Sequence, residues 1–263
     1  MEPLIITATP NICWLDPEVA YPRTAQDIAE EAALCAQAGS TILHTHAEGK
    51  WAETLSAVRE RCDIVVQCGM SSLSAAARLD VFTQRADMVS IILNHHDEAF
   101  ARTDVHVLHP REELAEYARL CREHGVVPEL EVWHHGSIWN LRWLIERDLV
   151  KPPYVSTLFF GWPGGSWSPP TVEEYLYRRR SMPEGCLCTV SVMGEQQAGM
   201  VAAAIAHGDH VRVGTEDHPR GRDGRVATTH ELVAEAAAIA RAAGRPLATV
   251  VQTRRAIGQQ PRP

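Results

Sequence analysis

The sequence predicts an α/β fold of the (β/α)8 TIM-barrel type, in one domain spanning residues 1–263, and three observations carry that prediction. Short apolar or β-branched runs alternate with amphipathic helical stretches from one end of the chain to the other, the pattern of parallel strands joined by crossover helices. Eight such units are present, and eight in about 250 residues suit a closed barrel, whereas a doubly wound sheet would use fewer strands or a second domain. Helix punctuation falls between the strand runs: a capping box at Thr24 and Asp27, and glycines at Gly39 and Gly125 where helices end.

The first strand is read at residues 4–9, and the helix opened by Thr24 runs over 24–38 until Gly39 stops it. Alternating and apolar runs then place strands at 41–46, 63–68 and 88–93. A 3.6-residue period over 111–124, closed by Gly125, predicts a helix leading into a fifth strand at 127–133. The sixth strand covers 154–160, and the Pro/Gly-rich segment 162–170 behind it is too short for a linker and suits an active-site loop. The seventh strand is 187–192, followed by a helix over 195–207, and the eighth is 210–214. A last helix, capped by Thr229, covers 229–243. No repeat of 20 to 50 residues is visible.

With 45% hydrophobic and 22% charged residues the chain can bury a large core, which excludes a disordered or collagen-like protein. Thirty-three acids against 25 bases give a net charge of −8, the wrong sign for a nucleic-acid partner, and the longest basic run is Arg178-Arg179-Arg180. No apolar run reaches the roughly 18 residues of a membrane span, and the start of the chain lacks a signal-peptide pattern, so a cytoplasmic protein without a membrane partner is expected. Seven cysteines (Cys13, Cys35, Cys62, Cys68, Cys121, Cys186, Cys188), an odd number without a CxxC pair, read as reduced thiols. Only Lys50 and Lys151 are available as amines, and neither falls at a strand end, which argues against a Schiff-base aldolase.

His44 and His46 lie two apart on the second strand, so both imidazoles project from one face, inward in a barrel. At the mouth they could hold a divalent metal with positions left open, although such a pair also suits hydrogen-bonded core histidines. The eighth strand ends in Glu216 and Asp217, with Arg212 just before them. One carboxylate could complete a two-histidine, one-carboxylate site while the other pairs with Arg212, and a solvated acidic turn is the plainer reading of those residues taken alone.

Together these segments resemble the β-keto acid cleavage enzymes, typified by the enzyme acting on 3-keto-5-aminohexanoate. The resemblance runs through residues 3–9, the helix 28–39 leading into His44-Thr45-His46, the strand 127–132 and the loop Gly161-Trp162-Pro163-Gly164-Gly165. It continues through Ser191-Val192-Met193-Gly194, the segment 210–217 and the ending 244–249. It implies a zinc-binding (β/α)8 barrel with His44, His46 and Glu216 as ligands and Arg212 and Asp217 as the catalytic pair. It also implies a reaction in which a β-keto acid and acetyl-CoA give acetoacetate and a new CoA thioester, and a homo-oligomer, a tetramer.

The chain departs from the family pattern at Ala47-Glu48-Gly49, at Gly69-Met70-Ser71-Ser72, at Glu195 where an arginine is common, and at Trp14 where the aminohexanoate enzyme has an acid. Basic residues that would meet CoA phosphates are thereby lost, so a CoA-independent metal-dependent lyase, aldolase or hydrolase on a small keto acid stays open. If acetyl-CoA is used, the backbone at Gly164, Gly165 and Gly194 can approach its phosphates. Glu131 is a candidate barrel-mouth acid and Trp14 a candidate substrate contact, whereas Glu129, deeper in the strand, reads as salt-bridged interior. His95-His96 and His134-His135 each put their rings on opposite faces, which suits pocket lining better than a second metal. Trp139 and Trp143 read as a helix core stripe, and Cys186 and Cys188 as structural.

Overall fold

Eight parallel strands close into a ring in the order β1-β10-β9-β8-β7-β4-β3-β2. They are β1 (Ile6–Ala8), β2 (Ile42–Thr45), β3 (Val65–Cys68), β4 (Met88–Ile92), β7 (Val127–Val132), β8 (Tyr154–Phe160), β9 (Cys186–Val192) and β10 (His210–Val213). This computed structural model describes residues 2–11, 19–47, 49–70, 75–93, 95–97, 106–162 and 168–259. Each of the eight strands read from the sequence is a barrel stave, and every stave pair is parallel. What the sequence did not signal is an antiparallel hairpin of β5 (His95–Asp97) and β6 (His106–Leu108), so His95 and His96 belong to a flap beside the barrel rather than to a stave.

Around the ring stand α1 (Ala25–Ala38), α2 (Trp51–Arg61), α3 (Ala75–Thr83), α4 (Arg111–His124), α5 (Ser137–Glu146), α6 (Val172–Ser181), α7 (Gln197–His207) and α8 (Thr229–Ala242). A ninth helix, α9 (Val250–Ala256), follows them and packs on β3. The capping box at Thr24 and Asp27 forms as expected, and Gly39 and Gly125 adopt the left-handed conformation that ends α1 and α4. The cap of α8 is Thr228, in a box with Glu231, one residue before the expected Thr229. Thr229 instead turns inward, and its hydroxyl accepts the backbone N–H of Thr215 at 3.2 Å.

The two-residue period of the strands divides the barrel interior into levels. Ile42, Val65, Met88 and Val155 form an apolar plug at the N-terminal end, closed by Ile5, Ala248 and Ile257. One step further along the same strands stand His44, Gln67, Ser90, Glu129 and Thr157, all buried, so the middle of the barrel is polar. The next step brings His46, Ile92, Glu131 and Phe159 to the C-terminal mouth. Between staves and helices lies the main apolar core, which includes Leu43, Val66, Leu158, Val190, Phe82 and Tyr175.

Two buried arginines tie the outer layer to the barrel. Arg178 on α6 donates to the carbonyls of Val132 and Phe159 and lies over the Phe160 ring at 3.8 Å. Arg254 on α9 pairs with the buried Asp87 at 2.8 Å, an arrangement whose disruption on one side leaves an unpaired interior charge. The expected tryptophan stripe on α5 is only half present. Trp143 packs against the core beneath the guanidinium groups of Arg111 and Arg147, but Trp139 is 67% exposed, because the helix buries Ile138, Leu141 and Leu144 instead. No described helix is long and apolar enough to cross a membrane.

Candidate active site and metal centre

His44 on β2 is buried, and its Nδ1 lies 2.8 Å from Oε1 of Gln67, its cross-strand partner on β3. A carboxamide oxygen only accepts, so Nδ1 carries the proton and the Nε2 lone pair faces the barrel centre. Burial, followed by the positive charge of Arg212, lowers the imidazolium to about 3, which keeps the ring neutral and available as a ligand. His46 follows the end of β2, and Asn11 pins that backbone by accepting its N–H at 3.1 Å and donating to its carbonyl at 2.7 Å. The His46 ring lies flat over Gly69, where any Cβ would collide with it. Gly69 is therefore the floor under the His46 ring.

The third donor arrives by a turn. Gly214 follows β10 at φ +155, and a Cβ there would meet the Thr9 carbonyl, so only glycine lets the chain pass this close to β1. The N–H groups of Asp217 and His218 both donate to the Gly214 carbonyl, at 3.1 and 3.0 Å, and this turn brings Glu216 and Asp217 inward together.

In the result, His44 Nε2 and His46 Nε2 are 3.1 Å apart, and Glu216 Oε2 and Oε1 lie 3.6 and 3.5 Å from them respectively. Donor atoms of the three residues fall within 4.8 Å of one another, and Glu216 Oε2 is buried without a hydrogen-bond partner. Two imidazole nitrogens facing each other beside an orphaned carboxylate oxygen is a donor set that a divalent cation satisfies, and two nitrogens with one carboxylate suit zinc-like ions. Gly69→Ala should therefore displace the His46 ring and weaken metal affinity by about 10- to 100-fold, the range typical of lost ligand-orienting contacts. Competition against a chromogenic chelator measures it, and unchanged affinity would show that His46 has another way to reach the metal.

Arg212 bridges the two acids: Nη2 lies 2.9 Å from Glu216 Oε1 and 2.8 Å from Asp217 Oδ1, and Nε is 3.1 Å from Asp217 Oδ2. The Ser191 hydroxyl, from β9, donates to Asp217 Oδ2 at 2.8 Å. Burial works to raise the Glu216 carboxyl, but Arg212 and the two imidazoles hold it well below the usual range, as a ligand requires. Asp217, fully buried, is pushed up to about 6 by burial against the pull of Arg212. A carboxylate poised there can take and return a proton near neutral pH.

Glu131 is buried at the mouth, its Oε2 accepting the Trp133 indole N–H at 2.7 Å, and burial with the neighbouring Glu129 pushes it up to about 8. Glu129 takes the Thr157 hydroxyl on Oε1, while among the described residues its Oε2 has no hydrogen-bond partner and the expected salt bridge is not present; burial raises this carboxyl to about 6. Gly194, at φ +120, ends β9 at the mouth, whereas Trp14, Gly164 and Gly165 lie outside the described residues. His135 stacks on Tyr177 at the surface, 4.9 Å between ring centres, and is not one of the clustered donors His44, His46 and Glu216. The described cysteines are free, and burial pushes the Cys186 thiol up to about 11 and Cys188 higher still, in keeping with inert packing. Sequence reasoning missed Gln67, Gly69, Asn11 and Ser191. Gln67 carried a signal as the one amide in the apolar run 64–68, while Gly69 and Ser191 stood in segments compared with the family pattern without a role being read for either.

Comparisons with known proteins find similar chains over nearly the whole length. A family model described as "beta-keto acid cleavage enzyme" matches residues 3–258. The 3-keto-5-aminohexanoate cleavage enzyme of Fusobacterium nucleatum is 29% identical over 278 residues, covering 97% of this chain and 97% of that protein. The 3-dehydrocarnitine:acetyl-CoA trimethylamine transferase of Rhizobium meliloti is 25% identical, with 85% of each chain covered. Among solved structures, apo ObcA is similar at a TM-score of 0.74 and 17% identity, covering 90% of this chain; the chain spans 65% of that structure's length, and the likeness speaks for the fold alone.

Proposed function

The chain belongs to the β-keto acid cleavage enzyme family, and from that premise we propose that it condenses a β-keto acid with acetyl-CoA to give acetoacetate and a CoA thioester of the remaining acyl group. The observation that carries the reading is the meeting of His44, His46 and Glu216 in one donor set, with the Arg212–Asp217 pair directly behind it. A divalent cation held by those three residues, zinc in our reading, would supply Lewis-acid polarisation of the substrate's carboxylate and keto oxygens.

The chain's own residues account for the proton. Asp217, fixed by Arg212 and Ser191, takes a proton from C2 of the keto acid and leaves an enolate whose charge lies near the Arg212 guanidinium. C2 attacks the thioester carbonyl, a carbon–carbon bond forms, and CoA leaves as thiolate. That thiolate adds to the original keto carbon, the C2–C3 bond breaks, and Asp217 returns its proton to the acetoacetate carbanion. Arg212 keeps both acids in register throughout, since one guanidinium holds Glu216 and Asp217 together. Gly194 offers backbone along which the CoA arm would enter.

Metal-loaded protein incubated with a panel of β-keto acids tests this directly. Acetoacetate is expected only when acetyl-CoA is present. Cleavage that proceeds equally without it would make the protein a CoA-independent lyase or hydrolase.

A further inference from the structure

The barrel mouth is divided into two chemically different halves. On β2 and β10 it carries His44, His46, Arg212, Glu216 and Asp217. On β4, β7, β8 and β9 it carries Ile92, Trp133, Phe159 and Trp162, none more than 5% exposed, with Met193 packed against them. These rings are set by one another: Trp133 stacks on Phe159 with centres 4.7 Å apart and planes at 12°, and Trp162 meets both edge-on at 5.3 and 5.7 Å.

A keto acid gripped by its carboxylate and keto oxygens on the first half must send the rest of its chain toward the second. Resting on the function proposed above, we infer that this chain is uncharged and apolar and that the Ile92/Trp133/Phe159/Trp162/Met193 wall selects it. Burying an unpaired charge against such a wall is strongly unfavourable. No lysine or arginine stands at the described ends of β4, β7, β8 or β9, and the guanidinium that does approach Phe159, Arg212, is already held by Glu216 and Asp217, so a second carboxylate would displace an existing ion pair rather than meet a free cation. Arg178 reaches these strands from the outer side, over Phe160 and beside Glu174.

A substrate cation is disfavoured for a different reason. The Phe159 ring already holds the Arg212 guanidinium at 5.2 Å and the Trp133 ring at 4.7 Å, so its π-system is engaged before a quaternary ammonium could stack on it. Trp133 and Phe159 are stacked face to face, without the gap that an aromatic cage opens around a methylated nitrogen. The Glu131 carboxyl beside the wall already takes the Trp133 indole N–H on Oε2.

Two measurements decide the matter. With acetyl-CoA and metal-loaded protein, kcat/KM for 3-oxohexanoate should exceed that for 3-oxoadipate and for 3-dehydrocarnitine by about 100-fold or more. In calorimetry, the unreactive 3-hydroxyhexanoate should bind more tightly than 3-hydroxyadipate and carnitine by a similar factor. Met193→Arg, at a half-buried position against the wall, should shift the preference toward the dicarboxylate by about tenfold or more. Equal or tighter binding of a charged analogue, no binding of any of the three, or an unchanged preference in the folded Met193→Arg protein overturns the inference. Absence of turnover while 3-hydroxyhexanoate still binds preferentially overturns the acetyl-CoA reaction instead and leaves the wall's selectivity standing.

Discussion

Replacing His44 and His46 together by alanine should reduce bound metal from about one per chain to below about one tenth, because a lone carboxylate retains little of the roughly 10 kcal/mol or more that a full nitrogen-containing donor set provides. Turnover should fall by at least about 10⁴-fold, the scale of losing Lewis-acid stabilisation of developing enolate charge. Metal should also cease to stabilise the fold. At 100 to 1,000 times its Kd a metal adds about 3–4 kcal/mol, or about 5–15 °C in Tm for a chain of this size, and the double variant should show no such rise. Elemental analysis and a paired thermal melt check both points. Glu216→Gln is the companion variant, because it removes the anionic donor while nearly preserving volume at a position buried between Arg212 and the two imidazoles. Unchanged metal content in the double variant would place the metal elsewhere.

Asp217→Asn should leave metal content intact and lower kcat by about 10²-fold or more, the usual contribution of a positioned base. The substitution is isosteric, so Ser191 and Arg212 keep a partner of the same shape, but the amide accepts no proton from carbon. KM should move far less than kcat, since the group acts on the reacting carbon rather than on the oxygens that hold the substrate. Steady-state kinetics on metal-replete protein measures this split. Near-normal kcat would assign the base to another acid, and Glu131, at the same mouth, is the next to replace.

Much of the barrel was legible because its staves obey a two-residue period while the helices carry explicit stops such as Gly39 and Gly125. The β5–β6 hairpin was not, since three-residue strands present too few positions for any period to emerge. His44 and His46 could be placed on one face from their spacing alone. Glu216 and Asp217 could not, because neighbours on a strand face opposite ways and only the turn at Gly214, forced by its contact with Thr9, brings both inward. Gln67 and Ser191 act through cross-strand register, which closure of the barrel sets and which no single strand encodes. Trp139 misled because helical spacing says which residues share a face without saying which face is covered.

The central claim is that the acetyl group of acetyl-CoA is joined to C2 of the keto acid, and one isotope experiment tests it most directly. Metal-loaded protein is given a β-keto acid and acetyl-CoA labelled with ¹³C at the acetyl carbonyl, and the products are read by NMR. The label is expected at the keto carbon of acetoacetate, and the new CoA thioester is expected to be unlabelled. Label remaining in acetyl-CoA or released as free acetate, while the keto acid is cleaved, would contradict it.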